Sequence, residues 1–135
     1  MTTLFNFEVH TPYRLFFSGM AQAITLPLAD GEICVYAKHT AFTAPVVTGI
    51  LRMKDSEGNW RSAFIRSGVL EVKDHKNVLM VYAAEWPQEI DTKRAITAKQ
   101  RAQEAMQKTD NKFEKEKFKE KIRRAECRLK VFDER

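Results

Sequence analysis

Two halves of different composition meet at the stretch Glu85-Trp86-Pro87-Gln88-Glu89-Ile90-Asp91-Thr92-Lys93-Arg94-Ala95. All five glycines and all four prolines of the chain lie at or before Pro87, and none follows it. Glycine and proline are poor in helix interiors and mark the turns between strands. This partition predicts an α+β protein, with strands before the junction and helices after it.

Length and composition indicate one globular chain. The 135 residues are 44% hydrophobic and 30% charged, which is typical of a folded protein and can form a core of its own. No apolar run approaches the ~20 residues of a membrane-spanning helix, and the first residues lack a signal-type apolar segment. We therefore expect a cytosolic protein that meets a membrane only through a partner.

The cysteines and histidines predict neither a disulfide nor a metal site. Cys34 and Cys127 lie in opposite halves without CxxC spacing and are expected to be free thiols in a reducing compartment. The isolated histidines His10, His39 and His75 lack metal-ligand spacing.

The net charge of +5 belongs to the second half. Residues 1–87 carry eight Lys and Arg against eight Asp and Glu, whereas residues 88–135 carry fifteen against ten. A basic helical segment can bind nucleic acid, an anionic membrane, nucleotide phosphates or an acidic protein. Charge alone does not choose between them.

The first half is a series of short strands. Residues 4–10 alternate between apolar and polar, and later apolar segments are separated by turns at Ala29–Glu32, Asp55–Asn59 and Asp74–Asn77. A strand starting at Leu15 is expected to be interrupted near Gly19. About eight strands at this spacing predict a β-sandwich or flattened barrel, and no nucleophile–base set indicates an enzyme.

The second half predicts an antiparallel helical hairpin. From Glu89 to Lys108, residues recur at helical spacing: Ile90, Ala95, Ala98, Ala102, Ala105 and Met106. Thr109-Asp110-Asn111 breaks the pattern, and Thr109 or Asp110 is the expected N-cap of the second helix. That helix, at residues 111–132, carries one apolar seam: Phe118, Ile122, Ala125, Leu129 and Phe132. Because the alanine-rich face buries little area, we expect the hairpin to be mobile and to dock on the sandwich, a ligand or a partner.

Four arginines occupy regular positions on these helices. Arg94 and Arg101 are seven residues apart on the first helix, and Arg124 and Arg128 are four apart on the second. If the helices pair, the four guanidiniums can converge beside Asp91 and Glu85, in an arrangement suited to phosphate. The alternative, which spacing alone favours, is a solvated face on which the arginines pair with Glu104, Glu120 and Glu126.

Seven short motifs together make the chain resemble a known family. They are Val9-x-Thr11-Pro12, Phe17-Ser18-Gly19, Asp30-Gly31-Glu32, His39, Gly49, Ser67-Gly68-Val69-Leu70-Glu71-Val72 and Ile90-Asp91-x-x-Arg94-Ala95. In this order, ahead of a helical hairpin, they resemble the epsilon subunit of the F-type ATP synthase, which is called delta in mitochondria. The resemblance extends from Phe5 to about Leu129.

The resemblance implies a fold and a role. It implies a ten-stranded sandwich at residues 1–87 and a regulatory helical hairpin at residues 88–135, in a non-catalytic rotor subunit of the central stalk. The sandwich would bind the gamma subunit and the ring of c subunits, with Gly31, Glu32 and His39 at these contacts. The hairpin would reach into the alpha/beta catalytic head and inhibit ATP hydrolysis. The complex would place the subunit peripherally on the cytoplasmic side of a bacterial inner membrane.

Some bacterial members of this family are similar to ATP-binding proteins. The matching positions here are Glu85, Ile90, Asp91, Arg94, Ala95, Arg101, Arg124 and Arg128. The resemblance requires no cofactor and implies ATP only as a regulatory ligand, bound without hydrolysis, that holds the helices in a compact state.

The chain departs from the family pattern at one loop. Residues 33–42 lack the glycines and prolines usual in the family at that loop. A different hypothesis is a free-standing module that binds nucleic acid through the basic hairpin. Against this hypothesis, Lys and Glu alternate from Lys112 to Lys121 and no interleaved aromatic residues offer stacking surfaces.

Overall fold

The computed structural model describes residues 3–37 and 40–135. Nine strands occur among these residues: β1 (Phe5–His10), β2 (Leu15–Leu28), β3 (Gly31–Tyr36), β4 (Phe42–Val46), β5 (Gly49–Asp55), β6 (Trp60–Ile65), β7 (Gly68–Lys73), β8 (Lys76–Val81) and β9 (Ala84–Glu85). They are followed by a single 3-10 turn at Pro87–Glu89 and by helices α1 (Thr92–Gln107) and α2 (Lys112–Asp133). No helix in the described part of the chain is both long and apolar enough to cross a membrane.

Strand β2 joins two sheets. Its first half pairs with β1 and its second half pairs with both β3 and β5. One sheet therefore has the order β4-β7-β8-β1-β2, and the other continues as β2-β5-β6-β9 with β3 on the far side of β2. In the described residues β4 and β9 end this path without pairing to each other, so the barrel is not closed.

The strand count differs from the ten implied by the resemblance. The expected interruption near Gly19 is wrong, because β2 runs unbroken through Gly19, which pairs with Phe7 of β1. The irregularity in β2 lies instead between Ala21 and Ala23, opposite β5. One long strand thus serves both sheets, and its irregularity lies a few residues beyond the predicted position.

The core lies between the two sheets. Phe5, Phe7 and Val9 of β1 are buried, as their alternation predicts, and they pack with buried residues of β5 such as Leu51 and Met53. Apolar side chains from both sheets thus form one cluster, as in a sandwich. Together with the two helices that follow the strands, this cluster confirms the predicted α+β fold.

The helix ends differ from the prediction in two places. Helix α1 begins at Thr92 rather than Glu89, because Ile90 is extended and the Asp91 side chain accepts a hydrogen bond from Arg94 N at 3.1 Å. The N-cap of α2 is Asn111, whose Oδ1 accepts hydrogen bonds from the next helical amides. The expected caps Thr109 and Asp110 are wrong: Thr109 Oγ1 hydrogen bonds with Glu114 Oε2 at 2.6 Å instead.

The hairpin is docked on the sandwich. Val131 of α2 is fully buried in a cluster with Ile50 of β5, Phe64 of β6 and Ile90 of the junction. Cys127 and Phe132 pack against the same cluster. The prediction of a single apolar seam is therefore incomplete. Helix α2 also packs against the sandwich through Val131 and Cys127, which lie outside the predicted seam, together with Phe132, its last member.

Candidate functional site

A cavity of about 730 Å³ lies along the helical hairpin at its junction with the sandwich. Its charged lining consists of three carboxylates and five cations: Glu85, Glu89, Asp91, Arg94, Arg101, Lys121, Arg124 and Arg128. Its remaining lining is apolar: Ala95, Ala98, Ala102, Ala105, Phe118 and Ala125. Alanines allow the two helices to approach closely, with Ala95, Ala102 and Ala125 buried.

The structure brings most of the candidate ATP-binding residues to this cavity. Seven of the eight line it, and four of these are the arginines whose convergence the helical spacing predicts. The eighth, Ile90, does not line the cavity, because its side chain packs with Ile50 and Val131 in the docking cluster.

The three carboxylates of the cavity already have partners. Asp91 caps helix α1. Glu85 Oε1 accepts a hydrogen bond from Arg128 Nε at 2.7 Å. Glu89 forms an ion pair with Arg14, a residue of the sandwich. These acids therefore fix the local structure at the junction end of the cavity.

Arg128 connects α2 to the sandwich. Besides its ion pair with Glu85 of β9, its guanidinium carbon lies 4.4 Å from the centroid of the Phe64 ring in β6. Arg128 and Glu85 are each only partly exposed. A partly buried ion pair reinforced by a cation–π contact stabilises the docked position of the hairpin.

The other four cations of the cavity have no carboxylate within 4.0 Å in the described part of the chain. They are Arg94, Arg101, Lys121 and Arg124. The alternative in which the arginines pair with Glu104, Glu120 and Glu126 is therefore absent from the described structure. Unpaired cations that face one cavity attract an anion with several negative oxygens.

Arg124 is the least well solvated of these cations. Burial lowers the pKa of Arg124, and the positive charges of Arg66 and Arg128 act in the same direction, while Glu120 opposes them. Arg66 follows β6, so the sandwich also contributes positive charge to this end of the hairpin. A bound anion would relieve this repulsion.

Several lining residues were missed by the sequence reasoning. Lys121 precedes Arg124 by three residues and Arg128 by seven, so extending the arginine row by one turn would have found it. Phe118, which the helical spacing places in the apolar seam, also lines the cavity. No sequence pattern connects Arg14 to Glu89, which are 75 residues apart.

The ion pair between Arg14 and Glu89 clamps the junction between the sandwich and the hairpin. Arg14 contacts Glu89 through its two terminal guanidinium nitrogens, each at 2.8 Å, and the Trp86 amide donates to Glu89 at 2.8 Å. The Trp86 ring stacks on Phe16 with 4.4 Å between centroids, and the Arg61 guanidinium carbon lies 4.2 Å from the Trp86 ring centroid. These contacts fix the chain up to Glu89, so a moving hairpin would pivot after this residue.

The clamp predicts a pH dependence. The hydrogen bond from Arg14 lowers the pKa of Glu89 below its ordinary value of 4.5, and the Trp86 amide acts in the same direction. A lowered folded-state pKa gives stability that is present above pH 4.5 and lost as the pH falls through the folded-state pKa. We expect Glu89→Gln to cost about 0.5–1 kcal/mol of unfolding free energy at pH 7, because the pair is partly exposed.

Chemical denaturation of both proteins between pH 7 and pH 3 measures this effect. The difference between wild type and Glu89→Gln should shrink as the pH falls below 4.5, where the carboxylate begins to be protonated. Glu57→Gln is the control, because Glu57 is exposed and forms no ion pair in the described residues. A pH-independent cost of Glu89→Gln would show that the carboxylate charge does not stabilise the junction.

The candidate partner-contact residues lie at the start of β3. Gly31 and Glu32 are exposed, and Glu32 lies 3.8 Å from Arg52, which also binds Glu134 after α2 at 2.9 Å. The third residue, His39, lies outside the described residues. Arg52 therefore links the β3 edge to the end of the docked hairpin.

The fold is a β-sandwich with a docked helical hairpin. The cavity along that hairpin is lined by four cations that have no carboxylate partner among the described residues, so these features define a two-part protein with a candidate anion-binding cavity. Two family sequence models match this chain. The ATP synthase delta/epsilon chain β-sandwich domain matches residues 4–87, and the ATP synthase delta/epsilon chain long α-helix domain matches residues 88–133. The chain belongs to the ATP synthase delta/epsilon chain family.

Individual proteins agree with this assignment. The ATP synthase epsilon chain of Caldicellulosiruptor bescii is 40% identical over 130 residues, which is 96% of this chain and 94% of that protein. A chain in the Euglena gracilis mitochondrial ATP synthase OSCP/F1/c-ring structure is similar in fold, with a TM-score of 0.70, 20% identity and coverage of 94% of this chain and 76% of that chain. A chain in the Tetrahymena thermophila mitochondrial ATP synthase central stalk/c-ring structure gives a TM-score of 0.63, 19% identity and coverage of 94% and 95%.

Proposed function

We propose that this chain is a non-catalytic central-stalk subunit that regulates an F-type ATP synthase through its helical hairpin. The sandwich binds the gamma subunit and the c ring, and the hairpin inhibits ATP hydrolysis when it leaves the sandwich for the alpha/beta catalytic head. The subunit is peripheral to the membrane, on its cytoplasmic side. Family membership supports this role over the nucleic-acid-binding alternative.

We infer that ATP is the regulatory ligand and that the cavity along the hairpin is its sensor site. The observation that carries this proposal is a row of cations from both helices that line one cavity and have no carboxylate partner in the part of the chain that the structure describes. A ligand that contacts Arg94 or Arg101 of α1 and Arg124 of α2 together joins the helices. The same cavity includes Glu85 of the sandwich, so its occupant contacts all three parts.

ATP binding favours the docked hairpin by differential affinity. Once α2 leaves the sandwich, Arg128 separates from Glu85 and Phe64, and the cavity loses one wall. A ligand that binds only the docked state shifts the equilibrium toward it, and the shift grows with the ratio of free ligand concentration to dissociation constant. High ATP thus keeps the hairpin away from the catalytic head, and ATP depletion releases it.

The docked state is held by contacts that a partner can replace. The docking cluster contains four buried side chains: Ile50, Phe64, Ile90 and Val131. The exposed pair Arg52–Glu134 adds little, because surface ion pairs contribute about 0–1 kcal/mol. A small apolar contact with a few ion pairs suits an element that moves between two binding surfaces.

Arg94→Ala tests the ATP site. Arg94 lines the cavity three residues after Asp91 on α1 and has no carboxylate partner in the described residues. Removing a guanidinium that holds a charged ligand should weaken ATP binding by about 1.5–3 kcal/mol, or roughly tenfold to a hundredfold. Isothermal titration calorimetry of the isolated protein measures the change.

Lys93→Ala is the matched control. Lys93 is exposed next to Arg94 on α1 but does not line the cavity. It should leave the dissociation constant near that of the wild type. Equal affinities of the wild type and Arg94→Ala for ATP would remove Arg94 from the site, and a wild type that binds no ATP would refute the sensor function.

A further inference from the structure

We propose that Lys121 contacts the terminal phosphate of a nucleoside triphosphate in the hairpin cavity and so distinguishes it from the diphosphate. This inference rests on the proposed ATP-binding function and assigns one further residue to that site. It follows from the position of Lys121 in the cavity, from the distribution of charge along the cavity, and from the contact between the Lys121 ammonium and the Phe118 ring.

Lys121 extends the basic row of α2 outward. It precedes Arg124 by three residues and Arg128 by seven, and all three side chains line the same cavity. At 1.5 Å rise per residue, Lys121 lies about 10 Å along the helix axis from Arg128. Lys121 therefore marks the outer end of the row, toward the loop between the helices, and Arg128 marks the end at the sandwich.

The charge of the cavity changes along this axis. Its junction end holds the carboxylates Glu85, Glu89 and Asp91. Carboxylates repel phosphate and accept hydrogen bonds from the amino and hydroxyl groups of a base and a ribose. A nucleotide is therefore oriented with its nucleoside part at the junction and its phosphate chain directed outward.

Two cations face the outer part of the cavity. The loop between α1 and α2 runs from Lys108 to Asn111. Arg101 lies seven residues before the start of this loop, and Lys121 lies ten residues after its end. In an antiparallel hairpin these counts place Arg101 and Lys121 within about one helical turn of the same level. Neither has a carboxylate within 4.0 Å among residues 3–37 and 40–135.

The Lys121 ammonium lies within cation–π distance of an aromatic ring. Its Nζ lies 5.8 Å from the centroid of Phe118, which lines the same cavity. A cation–π contact positions the ammonium without neutralising its charge, so its three donors remain available to an anion. A third phosphate would lengthen the chain toward this group, whereas a diphosphate would end closer to Arg124 and the junction.

Titration calorimetry with ATP and with ADP tests the proposal on the full chain. Lys121→Gln should weaken ATP binding about tenfold and leave ADP binding within about twofold, because only the triphosphate reaches Lys121. Lys121→Arg retains the charge and should retain the preference for ATP. Lys117→Gln is the matched control, since Lys117 is exposed one turn earlier on α2 and does not line the cavity.

Each other outcome has a distinct meaning. An unchanged ATP affinity for Lys121→Gln, or an equal loss of ATP and ADP affinity, overturns the assignment of Lys121 while leaving the ATP site in place. A wild-type protein that binds neither nucleotide overturns the proposed sensor function and this inference with it. Circular dichroism melts of the variants show whether an affinity loss reflects loss of folding instead.

Discussion

Val131→Asp should release the hairpin from the sandwich while the sandwich stays folded. Val131 has no exposed surface and packs against Ile50, Phe64 and Ile90. An uncompensated charge at such a position costs about 3–5 kcal/mol. The docking contact involves few side chains, so this cost should exceed what holds α2 in place, and the helix should move away rather than bury the carboxylate.

Hydrogen exchange measured by mass spectrometry reports the release. Amides of α2 in the variant should exchange faster, whereas amides of the core strands β1 and β8 should keep their wild-type protection. Ile96→Asp is the control, because it adds the same charge to an exposed apolar position of α1, where the side chain is 46% exposed. Wild-type protection of α2 in Val131→Asp would show that the hairpin is not held by this cluster.

Gly68→Ala should unfold the sandwich or lower its stability severely. A Cβ at Gly68 would lie 1.9 Å from the carbonyl oxygen of Met80 and 2.7 Å from Val81 Cα, and both atoms belong to the backbone. Gly68 pairs with Val81 between β7 and β8, so these strands would have to separate where the ladder begins. We expect a loss of at least about 3 kcal/mol in unfolding free energy, at the severe end for single substitutions.

Gly19→Ala provides the comparison within the same fold. Its Cβ would meet only the end of the Phe17 side chain, at 3.1 Å, and a side chain can move where a backbone carbonyl cannot. Denaturant titration should therefore give a change of less than about 1 kcal/mol for Gly19→Ala. A similarly mild result for Gly68→Ala would mean that β7 and β8 are not packed as closely as described.

The sequence predicted the features that depend on local periodicity. The alternation of Phe5, Phe7 and Val9 identified a buried strand face, and the helical spacing of Arg94 with Arg101 placed them on one side of α1. The residue at which α2 begins was less predictable. Thr109, Asp110 and Asn111 are all good N-cap residues, and only the backbone geometry shows that Asn111 takes the role.

The features that depend on long-range packing could not be predicted. The continuity of β2 is decided by its pairing with three other strands, and the sequence near Gly19 resembles a break. Val131 of α2, outside the predicted seam, is buried because it meets Phe64, a contact across 67 residues of chain. Arg14 likewise meets Glu89 only through tertiary packing, so no local sequence pattern predicted the clamp at the junction.

The claim that a nucleotide holds the hairpin on the sandwich is tested most directly by hydrogen exchange of residues 124–132 in α2, with and without ATP. If undocking governs exchange, ATP at a hundred times its dissociation constant should slow the exchange of these amides roughly a hundredfold, because the ligand binds only the docked state. ADP should slow it less. Unchanged exchange at an ATP concentration that calorimetry shows to be saturating would contradict the claim, since the nucleotide would then bind without holding the hairpin.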